Sequence, residues 1–344
     1  MKKTLQLLVI ILISSYSFSQ TTEQDINNLL NDATFFSNKY ITPMTDAAVY
    51  QASSGWMTST KKRKLGEVTF GVNGNVFFVP QADRTFQISN SDFKFFRLEN
   101  GASTATVQTA LGSDNSIFLT GDIHFGNPPN QTTAPVRVGT PAGVNMSTIV
   151  YPYLQGSVGL WYGTELIAKY STKTKLARGD YQVYGFGVKH NLSQYFKSLE
   201  KSKIDIAILG AYSKEQVNFD FLDVAVPLFG SIGVNRIESD VDTRQLQLSF
   251  SKNFKRFEVM GSLIANNSNF YYRFNGDESA SIQGIKELLN NKVRELYKSK
   301  NNFLGEISGR YEYKNFYFQT AVAFGKFINT NFSVQYEFNK KSKK

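Results

Sequence analysis

The chain has 344 residues, a formal net charge of +10 and no cysteine, so disulfide bonds and a lipid anchor on cysteine are both excluded. It carries 29 Phe and 18 Tyr, yet its mean hydropathy is −0.28. The absence of a long apolar segment after residue 20 excludes a helical membrane protein, because each spanning helix needs about 20 apolar residues. A transmembrane barrel needs only every second residue apolar and fits this composition.

The start of the chain has the pattern of an export signal. Two lysines precede an apolar run over residues 5–13, and Ser17 and Ser19 supply the small residues that a signal peptidase requires. The run is about 10 residues long, which is too short for a membrane anchor. We therefore expect residues 1–19 to be a cleaved signal peptide of a protein in the gram-negative outer membrane.

Residues 20–64 do not have the pattern of a membrane strand. Their apolar side chains recur at spacings of three and four, which predicts an amphipathic helix over residues 23–39 that Pro43 limits. A stretch of small residues follows over residues 47–56. Because a short helix outside the barrel would be marginally stable, we expect residues 20–64 to form a helical hatch in the lumen.

From residue 65 onwards, short segments alternate apolar and polar residues, as in Val68, Phe70 and Val72 against Thr69 and Gly71. This alternation predicts an all-β, transmembrane antiparallel barrel over residues 65–338. We expect about twelve strands, and a further pair near residues 104–112 would raise the count to fourteen. The predicted strands cover residues 65–76, 84–98, 116–125, 148–161, 164–171, 181–189, 203–219, 243–252, 257–271, 302–313, 316–325 and 330–338.

The lengths of the connections predict the orientation of the barrel. Short turns at residues 162–163, 253–256 and 314–315 fall on the side expected to be periplasmic. Long connections fall on the other side, and the one over residues 272–301 contains an amphipathic helix that either packs against the barrel top or covers its mouth. Aromatic residues near predicted strand ends are expected to form girdles at the lipid headgroups, namely Tyr151, Tyr153, Trp161, Tyr162, Tyr170, Tyr181, Tyr184, Tyr311, Tyr313 and Phe316.

The inward faces of the predicted strands carry charges of both signs. We expect them to form either a selective polar path or inter-strand pairs that rigidify a narrow barrel. The predicted lumen-facing residues are Glu67, Glu165, Lys169, Lys189, Asp205, Glu258, Glu306, Arg310 and Glu312. Uptake of apolar compounds would instead use the hatch and rim, for which the candidate ligand-binding residues are Phe35, Phe36, Tyr40, Trp56, Leu288 and Leu289.

Two clusters of basic residues hold much of the excess charge, at residues 61–64 and in a C-terminal tail over residues 339–344. In an exported chain we interpret them as solvated charge at the membrane boundary rather than as a nucleic-acid site. Outer-membrane lipid, a hydrophobic ligand and envelope proteins are the partners we consider.

Catalysis was weighed because some outer-membrane barrels are enzymes. The chain contains two histidines, His124 and His190, and His190 precedes Asn191 and Ser193. Neither a Gly-x-Ser-x-Gly elbow nor a His-Glu-x-x-His motif occurs in the sequence, so we expect no enzymatic activity. Nor does the sequence offer ligands at the spacing of a metal or cofactor site, and none is expected.

The architecture resembles that of the long-chain fatty-acid transporter group of outer-membrane barrels, with residues 20–64 in the position of that group's hatch. The segments YQASSGW (50–56), GNVFFVP (74–80) and YGFGVKHNLSQYF (184–196) are also similar to those of an uncharacterised family of exported bacterial proteins. The resemblance to the transporter group implies porin-like passive transport of small, hydrophobic molecules. The alternative is a non-transporting barrel that serves as an anchor or partner subunit of a surface secretion or lipid-trafficking assembly.

Overall fold

The structure is a computed structural model that describes residues 20–126, 129–196, 198–199, 202–220, 225–226, 230–231, 234–276 and 283–338. The predicted signal peptide (1–19) and basic tail (339–344) lie outside the described residues.

Two helices and eighteen strands occur in these ranges. The helices are α1 (Gln20–Ser53) and α2 (Gln283–Val293). The strands are β1 (Val68–Phe78), β2 (Thr85–Ser89), β3 (Arg97–Leu98), β4 (Thr104–Gln108), β5 (Phe118–Phe125), β6 (Thr132–Gly139), β7 (Thr148–Gly159), β8 (Thr164–Tyr170), β9 (Thr174–Leu176), β10 (Gly179–Asn191), β11 (Ile204–Asp220), β12 (Ala225–Val226), β13 (Gly230–Ser231), β14 (Arg236–Phe254), β15 (Phe257–Asn275), β16 (Lys298–Tyr313), β17 (Phe316–Phe324) and β18 (Asn329–Phe338).

Among the described residues, ten strands close into an antiparallel barrel in the order β1, β7, β8, β10, β11, β14, β15, β16, β17 and β18, with β18 pairing back onto β1. The all-β transmembrane barrel with an N-terminal helix that the sequence predicts is therefore confirmed, with fewer strands than the expected twelve. Residues 84–98 and 116–125, which were assigned to the barrel, lie outside it. They are excluded because β1 pairs directly with β7, from Val68 opposite Val158 to Phe78 opposite Thr148.

The two faces of the wall differ as the alternation requires. Outward side chains such as Phe70, Leu154, Leu263, Phe318 and Phe332 are apolar and exposed, and they form the lipid-facing surface. Inward side chains are mostly polar and buried. The wall has a turn end, where the short connections and the start of β1 lie, and a loop end, where the long connections lie.

Residues 79–147, which connect β1 to β7, form a separate folded unit at the loop end. We call this unit the cap insert. It contains the hairpin of β2 and β4 and the three-stranded sheet of β3, β5 and β6. Alternating patterns at residues 84–98 and 116–125 therefore reflect small sheets on an apolar core rather than barrel strands.

Helix α1 fastens the cap insert to the barrel mouth. The buried carboxylate of Asp32 accepts hydrogen bonds from the backbone N–H groups of Lys94, Phe95 and Phe96 at 2.7–3.1 Å. The hydroxyl of Tyr40 donates to the backbone carbonyl of Ala142 at 2.8 Å. Burial raises the pKa of Tyr40, so this hydroxyl keeps its proton and remains a donor.

Helix α1 is longer than the sequence predicts, because it continues through Pro43 to Ser53. Proline removes one backbone hydrogen bond, but the helix beyond it is packed on all sides in the barrel mouth, where Met44, Ala47 and Val49 are buried. Tertiary packing thus outweighs the proline. Within the described ranges, no helix has both the length and the apolarity that crossing a bilayer requires.

Candidate functional site: the plugged lumen

The N-terminal segment runs through the lumen from the loop end to the turn end. We call residues 47–64 the plug, which comprises the last helical turns of α1 and the extended residues 54–64. At the loop end the ring of Tyr50 lies 5.3 Å from that of Phe327. At the turn end Arg63 contacts the wall just before β1 begins. The plug therefore occupies the barrel along its length.

Wall side chains cap the end of helix α1 inside the lumen. The Lys169 ammonium donates to the carbonyls of Ala52 at 3.1 Å and Ser54 at 2.7 Å, and Asn329 donates to the carbonyl of Tyr50 at 3.1 Å. The last carbonyls of a helix have no partner within it, and a cation is favoured there by the helix dipole. Lys169 thus fixes the helix end by charge and by hydrogen bonding.

Beyond the helix, amide and ammonium groups of the wall donate to one plug carbonyl after another. The donors are on strands from opposite parts of the ring, so the extended segment is held from several sides. The contacts are Gln155 to Trp56 at 2.9 Å, Gln319 to Met57 at 3.1 Å, Lys189 to Ser59 at 3.0 Å and to Lys61 at 3.3 Å, and Asn191 to Thr60 at 2.7 Å.

Two wall carboxylates accept hydrogen bonds from plug N–H groups. Glu306 accepts from the N–H of Gly55 at 2.7 Å, and Glu258 accepts from the N–H of Thr60 at 3.3 Å. Gly55 has a φ of +69°, and a Cβ at this position would lie 2.6 Å from the Tyr153 hydroxyl. Only glycine fits this bend without strain.

Trp56 is the main apolar anchor of the plug. Its side chain is fully buried and packs with Met57 in a cluster that includes the wall residues Ile167, Leu209 and Met260. The Lys169 ammonium lies 4.6 Å from the Trp56 ring centre. The anchor therefore combines an apolar contact with a cation–π interaction.

At the turn end, Arg63 is buried among carboxylates. Its guanidinium lies 2.9 Å from Glu165 and 3.4 Å from Glu337, and Glu165 also pairs with Lys189. Removing either partner of such a buried pair leaves an uncompensated charge. Arg63 therefore pins the lower end of the plug to the wall.

The charged residues that the sequence assigns to the lumen lie on the inward side of the wall. Five of these are buried against or near the plug, namely Glu165, Lys169, Glu258, Glu306 and Arg310. Glu67, Asp205 and Glu312 are partly exposed near the turn end. The sequence analysis missed the uncharged donors, because amides are common in barrel walls and no spacing distinguishes the ones that bind the plug.

Three of the aromatic residues assigned to the lipid girdles point inward instead. Tyr151, Tyr153 and Tyr181 are buried, and the rings of Tyr151 and Tyr181 lie 4.8 Å apart. On β7 they alternate with the exposed Val150 and Leu154, so strand parity indicates their direction. Proximity to a strand end was therefore the weaker criterion.

The predicted hydrophobic ligand residues do not come together in one place. Phe36 and Tyr40 are buried in the core between α1, the cap insert and the barrel mouth, and Phe35 packs edge-on against Phe93. Leu289 is buried in the same core, whereas its neighbour Leu288 is exposed. Trp56 lies apart from all of these residues, in the lumen.

The histidines make local contacts. His190 is hydrogen-bonded to Thr164 and Tyr195, both at 3.0 Å, and the hydroxyl of Ser193 is hydrogen-bonded to the backbone of Ile206. His124 pairs with Asp25 of α1 at 2.9 Å. Across the part of the chain that the structure describes, no group of three or more metal-ligating side chains occurs.

Similar solved structures are outer-membrane barrels. The translocator domain of the autotransporter NalP from Neisseria meningitidis is 11% identical with a TM-score of 0.33, and the match covers 87% of this chain and 96% of that one. The COG4313 outer membrane channel from Pseudomonas putida F1 is 10% identical with a TM-score of 0.36, covering 82% and 99%. These likenesses concern the fold, and they do not single out fatty-acid transporters.

The prediction that the protein is not an enzyme is not upheld, since the similar structures include a protease. It is the outer membrane protease OmpT from Escherichia coli, which is 12% identical with a TM-score of 0.27, and the match covers 81% of this chain and 100% of that one. At this identity the likeness concerns the barrel scaffold and assigns no reaction to this chain.

No curated protein matches the sequence. The expected similarity to an uncharacterised family is confirmed, because one family profile matches residues 1–338, nearly the whole chain. The protein is an outer-membrane β-barrel that belongs to the Family of unknown function (DUF6588).

Proposed function

We propose that the protein is a closed outer-membrane barrel that anchors a folded cap at the cell surface, where α1, α2 and the cap insert form a platform for partner proteins of the envelope. The observation that carries this proposal is the plug, which fills the lumen and is hydrogen-bonded to the wall from Tyr50 to Lys61. A barrel filled by its own chain has no open path for a solute.

The orientation of the platform follows from the usual placement of short turns on the periplasmic side. The cap insert, α2 and the N-terminal part of α1 all lie at the loop end, which this rule turns to the outside. Protease cleavage on intact cells tests the orientation. A site inserted between Asn100 and Gly101, in an exposed turn of the cap insert, should be cut, whereas one between Lys314 and Asn315 should be protected.

The second candidate function is passive transport of small, hydrophobic molecules, which requires the plug to move. Its support is the wall itself, since Glu306 Oε1 and Arg310 Nη2 lack hydrogen-bond partners among the described residues and would be hydrated in an open lumen. A polar wall, however, favours polar solutes over hydrophobic ones.

A reversible lock distinguishes the two functions. The hydroxyls of Thr60 on the plug and Ser251 on the wall are 2.5 Å apart, so the T60C/S251C variant should form a disulfide that holds the plug. The matched control is S249C/S262C, which joins two wall strands whose hydroxyls are 2.8 Å apart. The native chain has no cysteine, so neither variant has competing thiols.

Single-channel conductance in planar bilayers is the measurement. The closed anchor predicts no conductance steps from the native chain, or from either variant when oxidised or reduced. Steps in the native chain that disappear only when T60C/S251C is oxidised would contradict the anchor and support transport past a mobile plug.

A further inference from the structure

The contacts between wall and plug have the character of a binding site for polypeptide. The donors of the wall are directed at main-chain carbonyl oxygens, namely those of Tyr50, Ala52, Ser54, Trp56, Met57, Ser59, Thr60 and Lys61. Acceptors of the wall take the N–H groups of Gly55 and Thr60. A ladder of alternating carbonyl and N–H partners matches an extended peptide and no other common class of ligand.

The side chains of the plug add selectivity to this backbone recognition. Most of the residues between Ser53 and Thr60 are small, so the chain can lie close to the wall donors. Two large side chains enter built pockets: Trp56 enters the apolar patch beside Lys169, and Arg63 enters the pair of carboxylates Glu165 and Glu337. The wall thus reads one aromatic and one basic residue, seven positions apart.

We propose that the lumen is a polypeptide-binding tunnel whose ligand in this structure is the chain's own plug, and that it accepts the same class of ligand in trans. The ligand is an extended peptide segment with a small residue and glycine before a tryptophan, hydroxyl residues after it and an arginine at the far end. The inference does not depend on the anchor role, because it concerns the lumen wall and not the cap.

The test uses the full chain in detergent micelles with a weakened plug. The W56A/R63A variant removes both large anchors from the plug but leaves the wall unchanged. The probe is a fluorescein-labelled synthetic peptide with the native sequence of residues 50–64, and its binding is measured by fluorescence anisotropy. W56A alone, which keeps the charge pairs of Arg63, serves as a second variant if the double variant does not fold.

We expect saturable binding to the weakened variant, competition by unlabelled peptide, and binding to the native chain that is at least about tenfold weaker because its tunnel is occupied. Adding Q155L and N191L, which remove two wall donors, should weaken binding by at least about fivefold. A peptide carrying the W56A and R63A changes should also bind more weakly than the native sequence. The proposal is overturned if neither weakened variant binds the peptide, or if the native chain and the wall variant bind it as well as W56A/R63A does.

Discussion

Replacing Trp56 by alanine should release the plug more often than any other single truncation in it. The side chain is 0% exposed and fills an apolar patch of the wall, and truncating a buried tryptophan costs about 3–5 kcal/mol. If the packing is lost only when the plug leaves, the equilibrium for plug opening should rise by roughly 150-fold to 5,000-fold. The loss of the cation–π contact with Lys169 acts in the same direction.

A single reporter cysteine measures this opening. The chain contains no native cysteine, and Thr58 lies in the plug with 9% of its surface exposed, so the rate of maleimide labelling of T58C reports how often the plug opens. Trp161 provides the matched control, since it is the other tryptophan of the chain and is 62% exposed at the turn end. W161A should leave the labelling rate within about twofold of the parent. Equal rates in W56A and W161A would refute the assignment of Trp56 as the anchor.

Three further substitutions test other parts of the structure. G55A introduces a Cβ where φ is +69° and Tyr153 is close, so it should loosen the plug by about 1–3 kcal/mol and raise T58C labelling. D32A removes the buried carboxylate that holds the cap insert, and loss of charge-assisted hydrogen bonds of about 1.5–3 kcal/mol each should make the insert sensitive to protease, with D32N intermediate. L263R places a charge on the lipid face, and urea unfolding in vesicles should show a loss of about 2–4 kcal/mol, compared with about 0–1 for L65R at the turn end.

The barrel could be predicted from sequence because its signal is repeated in every strand. Ten of the predicted strands correspond to the strands of the ring, and the outward residues Phe316 and Phe318 of β17 show the alternation in its simplest form. The cap insert was misassigned since a small sheet with one buried face has the same period of two. Only the pairing of β1 with β7, which joins residues far apart in sequence, separates the two cases.

The plug could be predicted in outline and not in its contacts. A stretch of small residues with a single tryptophan indicates close packing in a confined space, but every residue carries the same backbone carbonyl. The sequence therefore gives no sign that Gln155, Asn191, Gln319 and Asn329 would meet the same segment. These side chains converge because the ring brings four distant strands around one axis.

The polarity of the wall argues that the plug behaves as a bound ligand and not as a core that the barrel needs in order to fold. Replacing buried polar and ionic groups by well-packed apolar ones is often neutral or stabilising, so a permanent core gains little from side chains such as Lys169, Lys189 and Glu258. Amide, ammonium and carboxylate groups can instead exchange the plug for water when the lumen opens. The barrel strands remain paired in a closed ring whether or not the plug is present, since none of their ladder hydrogen bonds involves the plug. It follows that W56A should free the plug without unfolding the barrel, so its heat-dependent mobility on gels should match that of the native chain while T58C labels faster.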